Sequence, residues 1–127
     1  MTDKPIRRLP DSELDVMQAL WECRVPADRS EIAAKLRMAT QKEPAQTTLL
    51  TLLGRLQEKG FVRIEKRGRG SVYTPLVSRD DYRSAQSRTF VDRLFGGSMQ
   101  AFASALADGG LTPDELDELR AFLEEAK

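Results

Sequence analysis

The stretch QTTLLTLLGRLQEKGFVRIEKRGRGSVYTP, residues 46–75, decides the fold of this 127-residue chain. Its first part predicts a helix over residues 46–58, because apolar side chains recur there at the i, i+3, i+4, i+7 spacing of a buried stripe. That stripe consists of Leu49, Leu52, Leu53 and Leu56. Lys59-Gly60 closes the helix, since glycine readily takes the left-handed conformation found just past helix ends.

A second face of the same helix carries small polar side chains. Thr47, Thr51 and Arg55 recur every four residues, with Thr48 beside them. Threonine is a poor helix former, and Gly54 costs about 1 kcal/mol relative to alanine. Small polar side chains gain little by facing water, so another molecule is expected to dock closely on this face.

The second part of the stretch predicts a basic hairpin. Residues 61–66 and 71–75 are rich in Val, Ile and Tyr, which favour strands. The link RGRG, residues 67–70, is a tight glycine turn that carries two arginines. A basic hairpin directly after such a helix is typical of the wing of a winged helix.

Two further helices are predicted ahead of this stretch, over residues 12–23 and 29–37. The second begins with a capping box in which Asp28 is the cap. Polar residues 38–44 form the turn before the third helix. The order helix, helix, turn, helix, hairpin predicts an N-terminal winged helix-turn-helix over residues 1–77, in a chain that is mainly α with a small β component.

The remaining chain, residues 78–127, predicts three helices without an obvious core of their own. They are expected over 79–95, over 98–107 and from Thr112 onward, where Pro113 takes the first helical position. Pairing with a second copy would bury their apolar faces in a two-fold symmetric dimer. The residues expected at this dimerisation surface are Tyr82, Phe90, Leu94, Met99, Phe102, Leu106, Leu116, Leu119 and Leu123.

Composition narrows the function classes. The chain has no histidine and a single cysteine, Cys23, which removes His-based acid–base catalysis, internal disulfides and most zinc sites. Paired carboxylates such as Asp80-Asp81 are explained more simply as charge at a helix start. Neither an enzyme nor a cofactor is therefore expected. The sequence also lacks a run of about 18 apolar residues and a signal-like N-terminus, so we expect a cytoplasmic protein without membrane insertion.

The formal net charge of zero hides an asymmetry. Residues 1–77 carry 14 Lys/Arg against 10 Asp/Glu, whereas residues 78–127 carry 6 against 10. A basic front half suits a polyanion, so we expect the third helix to enter the major groove of double-stranded DNA and the hairpin to meet the backbone or minor groove. The residues predicted to contact DNA are Gln46, Thr47, Thr48, Thr51, Arg55, Lys66, Arg67 and Arg69.

A second hypothesis stays open at this point. Winged helices also serve as protein–protein interaction modules, and Arg67 and Arg69 also suit an ordinary solvated turn. DNA binding requires an accessible, positive face on the third helix and hairpin. The interaction module requires that face to be covered, or neutralised by acidic residues.

Nearly the whole chain, residues 9–125, resembles the penicillinase repressor family of the BlaI, MecI and CopY type. The segments that carry the resemblance are LPDSELDVMQALWE, TTLLTLLGRLQEKGFV and GRGSVYTPLVSRDDY, followed in the tail by FVDRLFGGSMQAF and LTPDELDELRAFLEE. The resemblance implies a transcriptional repressor that binds dyad-symmetric operator DNA as a homodimer. The N-terminal winged helix would hold DNA and the C-terminal helices would hold the dimer. The positions that match the family's DNA contacts are Thr48, Thr51, Arg55 and Arg69.

Many such repressors control operons of the β-lactam-resistance type, and the resemblance brings with it a membrane sensor protease that leads to cleavage of the repressor. Two departures bear on this circuit. The antibiotic-responsive members are cut at an Asn-Phe bond in the fifth helix, where this chain has Ala105-Leu106, which puts cleavage there in doubt. The copper-responsive members carry a C-terminal Cys-x-Cys pair, and this chain has no cysteine after residue 23, so copper sensing by that route is not expected.

Overall fold

The computed structural model describes residues 6–126 and confirms a mainly helical fold with one small sheet. The chain divides into two compact units, of which the first ends at Gln86 and the second begins at Ser87. No helix within the described residues is long and apolar enough to span a membrane.

The elements follow the predicted order. The first unit contains helices α1 (Asp11–Trp21), α2 (Arg29–Thr40) and α3 (Gln46–Glu58) and strands β1 (Ala27–Asp28), β2 (Val62–Arg67) and β3 (Gly70–Pro75). Helix α4 (Arg79–Phe95) continues into the second unit, which also holds α5 (Met99–Ala105), a wide helical turn (Leu106–Gly110) and α6 (Pro113–Glu125). The predicted bounds of α3 and α4 are confirmed to the residue.

The sheet is antiparallel, with the strand order β1-β3-β2. Strands β2 and β3 form the predicted hairpin, and Arg67 pairs with Gly70 across a two-residue loop. Strand β1, which the sequence did not predict, lies on the other side of β3 with Ala27 opposite Tyr73. A strand of two residues has no periodicity that a sequence pattern can reveal.

The core of the first unit is built from all three of its helices and its sheet. The four leucines predicted to form the buried stripe of α3 are between 0% and 8% exposed, which confirms the inward face of that helix. Burying a leucine side chain fully is worth about 1.5–3 kcal/mol, so this stripe fixes the rotation of α3 about its axis. Phe61, just after α3, is 1% exposed and extends the same core into the hairpin.

Capping boxes start two of the helices, and the one at Asp28 was predicted. Asp28 Oδ1 accepts from the Glu31 backbone N–H at 2.8 Å, and Glu31 Oε1 accepts from the Asp28 N–H at 2.9 Å. Thr112 and Glu115 make the same reciprocal pair at the start of α6. Each box satisfies two backbone donors that have no partner inside the helix.

The second unit has little interior of its own. Among residues 87–126, only Val91 is buried. The rings of Phe90, Phe95 and Phe102 stand together with centroids 5.5 to 6.2 Å apart, yet Phe90 is 50% exposed. The apolar faces of these helices are therefore largely open to solvent in the single chain.

The structure differs from the sequence prediction at Tyr82. This residue was assigned to the dimerisation surface, but it is 7% exposed and belongs to the core of the first unit. Its hydroxyl accepts from the Leu9 backbone N–H at 2.9 Å, and its ring lies 5.8 Å from that of Phe61 and 5.9 Å from that of Trp21. Because the first turns of α4 are tied in this way, the first unit extends to Gln86 rather than stopping at residue 77.

Candidate nucleic-acid interface

A short, well-fixed turn connects α2 to α3. The sequence predicted the turn over residues 38–44, but α2 continues to Thr40. The Thr40 hydroxyl donates to the Leu36 carbonyl at 2.9 Å, and Gln41 ends the helix in the left-handed conformation with φ 63°. Only five residues then separate the two helices, which is the compact arrangement of a helix-turn-helix.

The outer face of α3 is polar and accessible. Thr47, Thr48, Thr51 and Arg55 are all exposed, as the helical spacing predicted. The Thr51 hydroxyl donates to the Thr47 carbonyl at 2.9 Å, which holds the Thr51 side chain in one rotamer. No segment of residues 6–126 buries these four side chains, so the face is free to meet another molecule.

The C-terminal end of α3 is fastened by an ion pair that sequence reasoning missed. Lys59 Nζ donates to Glu13 Oε1 on α1 at 2.5 Å, and the two side chains are 22% and 5% exposed. Glu13 stands four residues before Met17, in phase with the apolar face of α1. The sequence did contain a signal for this ion pair. Glu13 is a carboxylate at the helical spacing of the buried residues of α1, and a buried charge needs a partner.

The hairpin presents its cations at the turn. Gly68 is the first of the two loop residues and has φ +62°, the conformation that a II′-type hairpin turn demands of glycine. Lys66, Arg67 and Arg69 surround it and are exposed. The hairpin thus brings three cations to one end of the sheet.

Charge on this surface is largely uncompensated. Within residues 6–126, the side chains of Arg55, Lys66, Arg67 and Arg69 make no ion pair and no hydrogen bond. The neighbouring Arg63, in contrast, is 3.5 Å from Glu65. The acidic cover that the interaction-module hypothesis requires does not lie over these four cations in the described part of the chain.

A second cluster anchors the start of α4 on the same unit. Trp21 Nε1 donates to the Val77 carbonyl at 2.9 Å, and the Arg79 guanidinium lies 5.7 Å from the Trp21 ring centre. Arg79 also donates to Glu22 Oε2 at 2.7 Å. This hydrogen bond, together with the positive charge of Arg79, lowers the pKa of Glu22. The cluster contains none of the residues predicted to contact DNA.

Comparison with known proteins identifies the family. The profile of the family described as "Penicillinase repressor" matches residues 9–125. The chain belongs to this family. Its members are transcriptional repressors rather than enzymes, which confirms the resemblance predicted from the sequence.

Individual relatives match over nearly their full length. The penicillinase repressor of Bacillus licheniformis is 32% identical over 125 residues, which cover 98% of this chain and 95% of the relative. The methicillin resistance regulatory protein MecI of Staphylococcus aureus is 27% identical over 122 residues, covering 95% and 97%. The solution structure of the DNA-binding domain of the repressor BlaI aligns with a TM-score of 0.50 at 32% identity, over 65% of this chain and 94% of that domain. This last match confirms the winged-helix fold.

Proposed function

We propose that this repressor is a homodimer that binds a dyad-symmetric operator in double-stranded DNA through α3 and the β2–β3 hairpin. The observation that carries the proposal is the exposed polar face of α3, which includes Arg55, together with the exposed hairpin cations; all four cations are unpaired within residues 6–126. In this arrangement, Gln46 and the threonines of α3 meet base edges in the major groove, while Arg55 reaches a phosphate. The hairpin cations Lys66, Arg67 and Arg69 meet the DNA backbone or the minor groove.

The relatives support this assignment. One is a penicillinase repressor and another a methicillin resistance regulatory protein. The aligned structure of BlaI is described as a DNA-binding domain, and it covers 65% of this chain. In a helix-turn-helix protein the second helix of the motif enters the major groove, and here that helix is α3.

Binding-site selection tests the DNA-binding part of the proposal. Duplexes selected from a random pool by the full-length chain are expected to share an inverted repeat, and binding should weaken steeply with salt. Arg69→Ala should lower the salt slope by about one unit for each phosphate that this arginine neutralises in the wild type. Arg83→Ala, which removes an exposed arginine of α4, is the matched control and should leave the slope unchanged. Failure to select any preferred sequence at low salt would refute the proposal.

The dimer is supported by the open apolar faces of the second unit. Leu94 is 64% exposed, Met99 54% and Phe122 66%. A groove of about 450 Å³ beside α6 is also apolar in most of its lining. It is lined by Ala107, Leu116, Leu119, Arg120, Leu123 and Glu124. An exposed apolar surface of this extent is costly in water, and a second copy of the same helices has the complementary chemistry to cover it.

Light scattering coupled to size exclusion tests the dimer. We expect the mass of two copies of the 14.3 kDa chain. Phe122→Glu places a charge in the proposed interface and should shift the mass toward one copy. Leu76→Glu alters an apolar residue of the first unit that is 52% exposed and should leave the mass unchanged. A wild-type mass of a single copy at micromolar concentration would contradict the dimer.

The names of the relatives also suggest the regulated genes. We propose an operon of the β-lactam-resistance type as the target, with a membrane sensor protease as the partner that relieves repression. Ala105-Leu106 lies where α5 passes into the wide turn, and Ala105 is exposed. A reporter strain tests this circuit: a β-lactam should raise expression and shorten the repressor on an immunoblot. Induction without shortening would exclude proteolysis as the signal.

A further inference from the structure

One apolar side chain interrupts the polar outer surface of α3. Leu50 is 42% exposed, whereas the other four leucines of this helix are at most 8% exposed. At 100° per residue, Leu50 falls on the outer half of the helix, on the flank next to Thr47 and Gly54. It therefore stands within the surface that the proposed function assigns to DNA.

The helix surface beside Leu50 carries no side chain at Gly54. Gly54 lies one turn further along the same side, and a Cβ added there would meet no atom within 4 Å. Packing within the chain therefore does not require glycine, although glycine weakens a helix relative to alanine. A flat position beside an exposed leucine allows a molecule in front of α3 to come close to the Leu50 side chain.

The chemistry of the major groove offers one apolar group for such a contact. Thymine presents a C5-methyl group there, and the other base edges present hydrogen-bond donors and acceptors that leucine cannot use. We propose that Leu50 is a specificity-determining residue that contacts the C5-methyl group of a thymine in each half of the operator. This inference rests on the proposed function of α3 as the recognition helix.

Thymine-to-uracil exchange tests the contact at the level of a single methyl group. Deoxyuridine keeps the base pairing and the hydrogen-bonding groups of thymine and removes only the methyl group. In the duplex selected by the full-length chain, one thymine position per half-site should lose about fourfold in affinity on exchange, the effect of one buried methyl. Thymines outside the two half-sites of the selected duplex should show no effect on exchange.

Variants then assign the effect to Leu50. Leu50→Ala should bind the thymine and uracil duplexes equally well, and Leu50→Met, which keeps an apolar side chain, should retain the preference for thymine. Leu76→Ala, an exchange of a 52% exposed leucine after β3, is the matched control and should discriminate like the wild type. Because Leu50 is exposed, all variants should keep the wild-type melting temperature, which circular dichroism checks.

Two results separate failure of this inference from failure of the proposed function. If selected duplexes bind in a salt-dependent way but uracil exchange has no effect at any position, the Leu50 contact is refuted and operator binding stands. The same holds if Leu50→Ala keeps the full thymine preference, since the methyl group is then read by another side chain. If no duplex is selected at all, both are overturned.

Discussion

Lys59→Met and Glu13→Leu remove opposite partners of one ion pair, and we expect them to destabilise the fold unequally. The Lys59 Nζ–Glu13 Oε1 distance is 2.5 Å, and the pair ties the end of α3 to α1. Glu13 is 5% exposed in its side chain and Lys59 is 22% exposed. Lys59→Met leaves a buried carboxylate without its partner, at a cost of about 3 kcal/mol in the free energy of unfolding. Glu13→Leu leaves an ammonium that still reaches water, at about 1 kcal/mol.

The double variant separates the ion pair from simple packing. Glu13→Leu combined with Lys59→Met replaces the pair by apolar side chains of similar size, which is often neutral or stabilising for buried pairs. We expect its free energy of unfolding to lie within about 1 kcal/mol of the wild type. The coupling energy of the double-mutant cycle should therefore be large, about 4 kcal/mol in magnitude.

Urea unfolding followed by the fluorescence of Trp21, the single tryptophan, measures these quantities. All variants are compared at one protein concentration, because a dimer makes the midpoint concentration-dependent. Arg63→Met is the matched control, since it breaks an exposed pair with Glu65 whose side chains are 55% and 56% exposed, and it should change stability by less than about 1 kcal/mol. Equal losses in the two single variants, or a double variant as unstable as Lys59→Met, would refute the reasoning.

Three further perturbations have defined outcomes. Because Arg79 lowers the folded-state pKa of Glu22, this pair stabilises the fold at pH values above the usual carboxyl range, and the stabilisation is lost as the pH falls. Arg79→Gln should therefore raise the pKa of Glu22 in a carbon-13 NMR titration. An unchanged titration would show that Arg79 is not the cause of the lowered pKa. Gly68→Val forces a branched side chain to φ +62° and should lower the melting temperature and loosen the hairpin in amide exchange. Ala45 starts α3 without a side-chain cap, so Ala45→Ser and Ala45→Asp should each stabilise by about 1 kcal/mol, and only the aspartate, which adds negative charge, should weaken DNA binding.

The sequence was sufficient to predict α3 and its outer face, because the leucine spacing and the glycine after the helix both indicate the same helix. Four leucines at helical spacing define the inward side, and Gly60 with φ 83°, directly after the C-cap Lys59, defines the end. Once the inward side is known, the outward residues follow from the geometry of the helix alone. The exposed positions of Thr47 and Arg55 were therefore predictable without any knowledge of the rest of the fold.

The features that escaped prediction all depend on contacts between distant segments. The pair of Glu13 with Lys59 joins residues 46 positions apart, and strand β1 exists because two residues find a free edge of β3. The assignment of Tyr82 to the dimerisation surface failed for a related reason. An apolar residue on an amphipathic helix looks the same whether it covers its own core or a second chain, and here Phe61 and Trp21 pack against its ring.

The helices that carry the two predicted surfaces are fixed in different ways. On α3, the buried leucine stripe fixes which side chains point outward, so the residues proposed for DNA inherit their position from the core. On α6 no residue is buried, and its apolar side chains, including Leu119 and Phe122, face solvent in the single chain. Because no residue of α6 is fully buried, we expect the rotation of this helix to depend on the surface that covers it. A second copy would give these helices the apolar contacts that the leucine core gives α3. Phe122→Glu should consequently lower the protection of the second unit from amide exchange, while the first unit keeps its protection.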